Sequence, residues 1–292
     1  MREIKLVISD LDNTLGKFEK PIYPGKQELG PYRDELEKIE KMIYYQEQRG
    51  VRHSICTGRS LYSAEPIVKK IKINTPSIFE HGTYIWIPEK NFGYRLVEED
   101  FPDFVEPSNQ LEGWIKDLDD NKVFDGLTND FIRRKEDKHI LSYEFHDVQP
   151  QYVYSRLETM MPSDVRHYIQ EKKLINVLSI SEINGLTTGV VHVMPNISKS
   201  DGVKHVLNML KLKKEEVMGI EDSLHSGLPM LKEVGYMACP ANAQEQLKEY
   251  VRENGGFISK GEYTEGWIQI MLKMEEFEER RQQSIKFIEG GL

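Results

Sequence analysis

Two carboxylates one residue apart, Asp10 and Asp12, punctuate the segment Ile8-Ser9-Asp10-Leu11-Asp12-Asn13-Thr14-Leu15. Ahead of them Ile4, Leu6, Val7 and Ile8 form a near-continuous apolar run, the pattern of a strand buried on both faces of a parallel sheet. Side chains alternate along a strand, so Asp10 and Asp12 fall on the same side just past its carboxyl end. Open α/β sheets place their ligands there. Carboxylates so crowded repel each other and one pKa rises, unless a divalent cation neutralises them. A hard, oxygen-liganded ion such as Mg²⁺ suits such a pair. One carboxylate is then free to act as nucleophile while the other shuttles a proton. A competing reading makes Asp12 and Asn13 mere caps of the turn that follows the strand.

Three later segments add to the pair. Val51 to Ser60 supplies a second strand ending in Thr57-Gly58, where a hydroxyl and a backbone N–H can both reach a phosphate oxygen. Lys199 opens a helix in Pro195-Asn196-Ile197-Ser198-Lys199-Ser200-Asp201-Gly202, and Glu221-Asp222-Ser223 follows a third apolar strand, Val217 to Ile220. In this order the four segments resemble the motifs of the haloacid dehalogenase superfamily of phosphatases. Phe79-Glu80-His81-Gly82 followed by a long insertion resembles the Cof-type and sugar-phosphatase branch, whose large α+β cap lies between the second and third motifs. The resemblance implies an α/β core, a Rossmann-like parallel sheet with helices on both faces, formed by residues 1–82 and 192–292. An inserted α+β cap domain, 83–191, is expected to close over the substrate.

Carried over residue by residue, the resemblance implies that Asp10 attacks phosphorus and forms an aspartyl-phosphate. Asp12 protonates the leaving alcohol and activates the hydrolytic water, its backbone carbonyl touching Mg²⁺. Thr57, Gly58 and Lys199 hold phosphoryl oxygens, and Asp222 completes the metal site. The fourth motif departs from the branch's usual Gly-Asp-Ser-x-Asn-Asp: it reads Glu221-Asp222-Ser223-Leu224-His225-Ser226. A Glu-Asp-Ser version resembles the β-phosphoglucomutase branch, in which both acids face the metal. Glu221 is therefore expected as a metal ligand in place of the missing aspartate, with an ion pair to a core lysine or arginine as the alternative. Ser226 is left a neutral oxygen or a helix N-cap.

Other residues carry weaker signals. Arg59 follows Thr57-Gly58, where a guanidinium reaches an anionic substrate or a nearby acid. Arg133, Arg134 and Lys135 cluster on an expected cap strand, with Arg134 on the opposite face from its neighbours. One of them is expected to read the substrate, Arg134 foremost, against the alternative of a solvated basic edge. His53 and Cys56 read as core, His205 as a helix residue, His225 as a neighbour of the site, and Glu80-His81 as a turn.

Composition narrows the class. The 292 residues carry 39 basic and 48 acidic side chains, formal net charge −9, which disfavours nucleic acid and acidic membranes as partners. An anionic substrate must be drawn by a local positive site. The two cysteines, Cys56 and Cys239, have no zinc-type spacing, and a reducing cytoplasm is the expected compartment. No stretch approaches the roughly 18 apolar residues of a membrane span.

Periodicity predicts crossover helices over 31–49 and 60–70, and hairpin-like strands over 83–87 and 94–97. Insert strands are expected over 131–135, 139–145 and 174–180, insert helices over 153–160 and 165–172, and a return to the core near 190–193. Gly266 to Ile288 carries an incomplete apolar stripe. Its first half is expected in the core, and its second half on this chain in preference to a partner subunit, which leaves a homodimer open. The combined expectation is an Mg²⁺-dependent hydrolase of a small phosphorylated metabolite, most simply a sugar phosphate. A phosphomutase and a non-catalytic phosphate or metal sensor are the alternatives.

Overall fold

A computed structural model describes residues 3–18, 29–96, 130–133, 141–146, 174–183 and 186–274, and the single positions 159, 163, 166 and 170. The chain divides into two compact units, 1–94 with 198–292 and 95–197.

In the first unit the apolar run becomes β1 (Leu6–Ser9), all four residues buried. It lies between β2 (Arg52–Ile55) and β10 (Val217–Ile220), parallel to both. With β11 (Tyr236–Cys239) and β12 (Phe257–Ile258) this gives a five-stranded parallel sheet of order β12-β11-β10-β1-β2. The connections are helical. In α1 (Arg33–Glu47), Leu36, Ile39, Ile43 and Gln46 are buried at spacings of three and four, the stripe of an amphipathic helix. α2 (Leu61–Lys70) starts at Ser60, whose side chain accepts the Ser63 N–H, and ends with Lys69 and Lys70 beside its negative pole. α3 (Lys199–Leu210) opens on a capping box of Ser198 and Asp201. α4 (Leu224–Leu231) and α5 (Glu245–Glu253) flank β11 in the chain, and α6 covers residues 263–274. Trp267, Ile270, Met271 and Met274 of α6 are buried in the core, as the stripe predicts. Residues 275–292, and with them the expectation for the second half of that stripe, lie outside the described residues.

The boundaries expected at 82 and 192 both shift. β4 (Tyr84–Ile87) pairs antiparallel with β3 (Ser77–Phe79), and β5 (Phe92–Arg95) completes a three-stranded sheet, so the hairpin belongs to the first unit. At the other end β9 (Leu186–Pro195) runs antiparallel to β8 (Leu174–Ile183) and β7 (Leu141–His146), and Pro195 pairs with Leu174. The apolar run at 190–193 therefore belongs to the insert's own sheet, of order β6-β7-β9-β8 with β6 at Asp130–Arg133, and the core resumes at Ser198. Short apolar runs look alike in parallel and antiparallel sheets, which is why the sequence misplaces this return. Residues 134–135 and the expected helices over 153–160 and 165–172, apart from single positions, lie outside the described residues.

Candidate active site

The carboxyl ends of β1, β2 and β10 converge on one set of charged side chains. Asp10 extends the sheet, its N–H donating to Ile220 O at 2.9 Å, and is buried. Lys199, the first residue of α3, places Nζ 2.9 Å from Asp10 Oδ1 and 2.5 Å from Glu221 Oε1. The Thr14 hydroxyl donates to Asp222 Oδ1 at 3.1 Å. Asp10, Glu221 and Asp222 each offer an oxygen, all within 4.8 Å of one another.

Thr57 follows β2, its N–H held by Ile78 O and its hydroxyl oxygen accepting the Arg59 N–H. The hydroxyl proton remains available to a further acceptor oxygen. The segment 80–82 supports this loop: Glu80 N–H donates to Arg59 O and His81 N–H to Thr57 O, with the His81 ring against Gly58. Glu80 and His81 take positive φ of 49° and 57°, and Gly82 takes 111°. Such strain in non-glycine residues gathers at functional sites. At Gly82 a Cβ would sit 2.1 Å from Ser198 O, so only glycine lets this turn press against the start of α3.

Arg59 does not point to open solvent. Its Nε and Nη2 donate to the two carboxylate oxygens of Asp12, each at 2.6 Å, and Nη2 also donates to Phe18 O at 2.8 Å. This is the bidentate pairing that guanidinium geometry favours, and it fixes the plane of the Asp12 carboxylate. Of the two expectations for Arg59, substrate or nearby acid, the geometry matches the acid.

Charge in the site is unbalanced. Burial pushes the Asp10 carboxyl above its usual range and Asp12 adds to the rise, while Lys199 opposes it. Burial raises Glu221 well above the ordinary carboxylate range and Asp222 to about 7, with the Asp10 charge adding. Burial alone would lower the Lys199 pKa, yet Asp10 and Glu221 hold it above its usual value. With Asp12 satisfied by Arg59, three carboxyl groups share one ammonium, and ionising all three would leave two negative charges uncompensated. An all-oxygen, dianionic cluster fits a hard divalent cation such as Mg²⁺.

Other expectations resolve simply. Glu221 pairs with the core lysine through Oε1, and its Oε2, also buried, has no hydrogen-bond partner. His225 is exposed. Ser223 occupies the N-cap position of α4, so Ser226 lies inside the helix and cannot begin it. Burial drives the Cys56 thiol up, away from a reactive thiolate. His53 is buried against Trp267. His205 bonds the Tyr94 hydroxyl at 2.6 Å. Arg134 lies outside the described residues. Two contacts escape the sequence reading: Thr14 on Asp222, which its place in the Asp10 turn signals, and Asn242, whose Nδ2 donates to Asn13 O at 2.7 Å with no sequence signal.

The site is thus a set of acids and a lysine gathered, with Thr57, at the carboxyl edge of a parallel α/β sheet. Residues 7–257 match the model of the haloacid dehalogenase-like hydrolase family, and the chain belongs to that family. A relative, the 5-amino-6-(5-phospho-D-ribitylamino)uracil phosphatase of Bacillus subtilis (strain 168), is 26% identical over 255 residues, 85% of this chain and 88% of its own. Among solved structures, a Thermoplasma acidophilum protein superposes with TM-score 0.62 at 20% identity, over 94% of this chain and 99% of its own. The sucrose-phosphatase of Synechocystis sp. PCC6803, solved with sucrose and phosphate, gives 0.56 at 16%, over 94% and 99%. These two likenesses speak for the fold. Family and phosphatase relative together make the chain a phosphoric monoester hydrolase. No helix among the described residues is long and apolar enough to cross a membrane.

Proposed function

We propose that the protein is a Mg²⁺-dependent phosphatase of a small phosphorylated metabolite, most simply a sugar or polyol phosphate, working through an aspartyl-phosphate. One observation carries the reading: Lys199 bridges Asp10 and Glu221 while Arg59 holds Asp12 apart, so the two neighbouring carboxylates have different surroundings and can take different roles. Asp10 attacks phosphorus and the ester P–O bond breaks. Asp12, which must enter the step protonated while its oxygens accept from Arg59, gives that proton to the departing alkoxide, then takes one from the water that cleaves the acyl-phosphate and frees inorganic phosphate. Thr57, the Gly58 N–H and Lys199 hold the phosphoryl oxygens. Asp10, Asp222 and the Asp12 carbonyl would hold Mg²⁺, which neutralises charge on the transferring group when bound. The ribityl phosphate in the name of the Bacillus subtilis relative supports a phosphorylated polyol chain. In this reading the insert reads the rest of the substrate, with Arg134 as its candidate contact, and two buried free thiols suit a reducing cytoplasm.

Hydrolysis of a panel of phosphorylated metabolites with and without Mg²⁺ tests the proposal. Asp12→Asn should cost sugar phosphates far more than an activated aryl phosphate, because proton donation matters most for a poor leaving group. Equal losses would remove Asp12 from that role. Interconversion of sugar phosphates without net phosphate release would favour a mutase.

A further inference from the structure

Beneath the site, Glu221 stands where the Cof-type branch's usual fourth motif has glycine, and it pairs with Lys199. Lys199 and Glu221 are both sealed from solvent, 2% and 0% exposed. An ammonium has three N–H donors. Asp10 and Glu221 accept two of them, and with the Cε–Nζ bond fixed as well, tetrahedral geometry leaves the third donor one direction. Without Glu221 the ammonium could turn about its contact to Asp10.

The carboxylate stands where it does because residue 227, on the first turn of α4, has no side chain. A Cβ there would lie 1.8 Å from Glu221 Cγ and 2.3 Å from Cδ. Asp10 touches the same ammonium, but Glu221 is the more deeply sealed, 0% exposed against 7%, and Mg²⁺ keeps several waters around it. Asp222, only partly buried, has the better access.

We propose that Glu221 is a positioning residue that aims Lys199 at the phosphoryl group, acting through the lysine and not by holding the metal, with Gly227 providing the space it occupies. The inference rests on the phosphatase reading above.

A double-mutant cycle of Glu221→Gln and Lys199→Met tests it. Two readouts are taken at saturating Mg²⁺: kcat/KM for an aryl phosphate, and the affinity for inorganic phosphate by calorimetry. Glu221→Gln alone should weaken both by about 10–100-fold, the loss typical of an outer partner of a working ligand. That loss should vanish in the Lys199→Met background, while the Mg²⁺ half-saturation stays put. A loss that persists without the lysine, or Mg²⁺ affinity weakened about tenfold by Glu221→Gln, makes Glu221 a metal ligand and overturns the inference. If Glu221→Gln does not fold, Glu221→Gly combined with Gly227→Ala refills the volume from the neighbouring helix. That variant should melt cooperatively with the same loss of phosphate affinity, and wild-type affinity in it overturns the inference. A wild-type protein that shows the coupling in phosphate binding but hydrolyses no ester keeps the inference and rejects the phosphatase reading. Hydrolysis without coupling rejects the inference alone.

Discussion

Stripping the divalent cation should make stability fall as pH rises toward neutrality, and Mg²⁺ should reverse that trend. In the metal-free site Asp222 holds its proton up to about pH 7, mainly because it is buried, against 3.8 for an ordinary aspartate. Over that window the folded state keeps a proton that the unfolded chain has released. The stability this proton contributes is complete below about pH 4 and is lost as pH climbs through about 7. A rise of about 3 pH units is worth about 4 kcal/mol. At about 2.1 cal/mol/K per residue, the unfolding entropy of the chain is about 0.6 kcal/mol/K, so the loss amounts to about 7 °C in Tm. Mg²⁺ competes with that proton, so its binding strengthens and its stabilisation grows with pH. His53 works in the opposite sense: burial lowers its pKa to about 3, so its contribution is present above the unfolded value near 6.5 and is lost as pH falls toward 3. His53 has no part in the acidic cluster and cancels when melts with and without Mg²⁺ are compared at each pH. Scanning calorimetry on chelator-treated protein between about pH 5 and pH 8 reads the difference directly. A Mg²⁺ increment that does not change across this range would refute the reasoning, as would Asp222→Asn protein whose pH trend is as steep as wild type, since Glu221 and Asp10, also raised by burial, account only for the remainder.

Three further outcomes are expected. Asp10→Asn should reduce steady-state hydrolysis by several orders of magnitude while phosphate-ester binding persists, and retention of more than about a tenth of the rate would remove Asp10 as nucleophile. Arg59→Lys loses the two-point hold on Asp12 and should forfeit part of the about 10²–10⁴-fold supplied by proton transfer, more for a sugar phosphate than for an aryl phosphate. Parallel rate losses for the two esters would count against it. His53→Leu removes a buried ring whose Nε2 has no hydrogen-bond partner. Its stability advantage over wild type should grow by about 2 kcal/mol between pH 7 and about pH 5, and denaturant titrations in which the two proteins keep a constant gap would exclude His53 as the titrating group.

The residues that meet in the site were legible where chemistry coincides with a strand end. Asp10 and Glu221-Asp222 each follow a short apolar run, Thr57 follows a mixed strand, and Lys199 sits at a capped helix start, so local pattern placed the strand ends and the family resemblance joined them into one site. Three of the five core strands, β1, β2 and β10, were legible in the same way, whereas β11 and β12 were placed only by the structure. What local pattern does not carry is the pairing between side chains far apart in the chain. Arg59 and Asp12 are 47 positions apart, and nothing near either one says that the guanidinium will choose that acid over a substrate. The insert shows the same limit, because β9 has the composition of a core strand and only its partners β7 and β8 make it part of another sheet.

Glu221 brings both lessons together. Read along the chain, it is an extra acid beside Asp222, the aspartate expected to hold the metal, and the metal is the natural partner to give it. Read in space, Lys199 reaches it from 22 positions away, and Gly227, six positions on, leaves the gap that admits it. A glycine that makes room is invisible to any argument from charge or spacing, since its contribution is the side chain it lacks. The acid content of the fourth motif can thus stay constant while its task moves from the cation to the lysine, and the altered motif is compatible with an intact phosphoryl-transfer site.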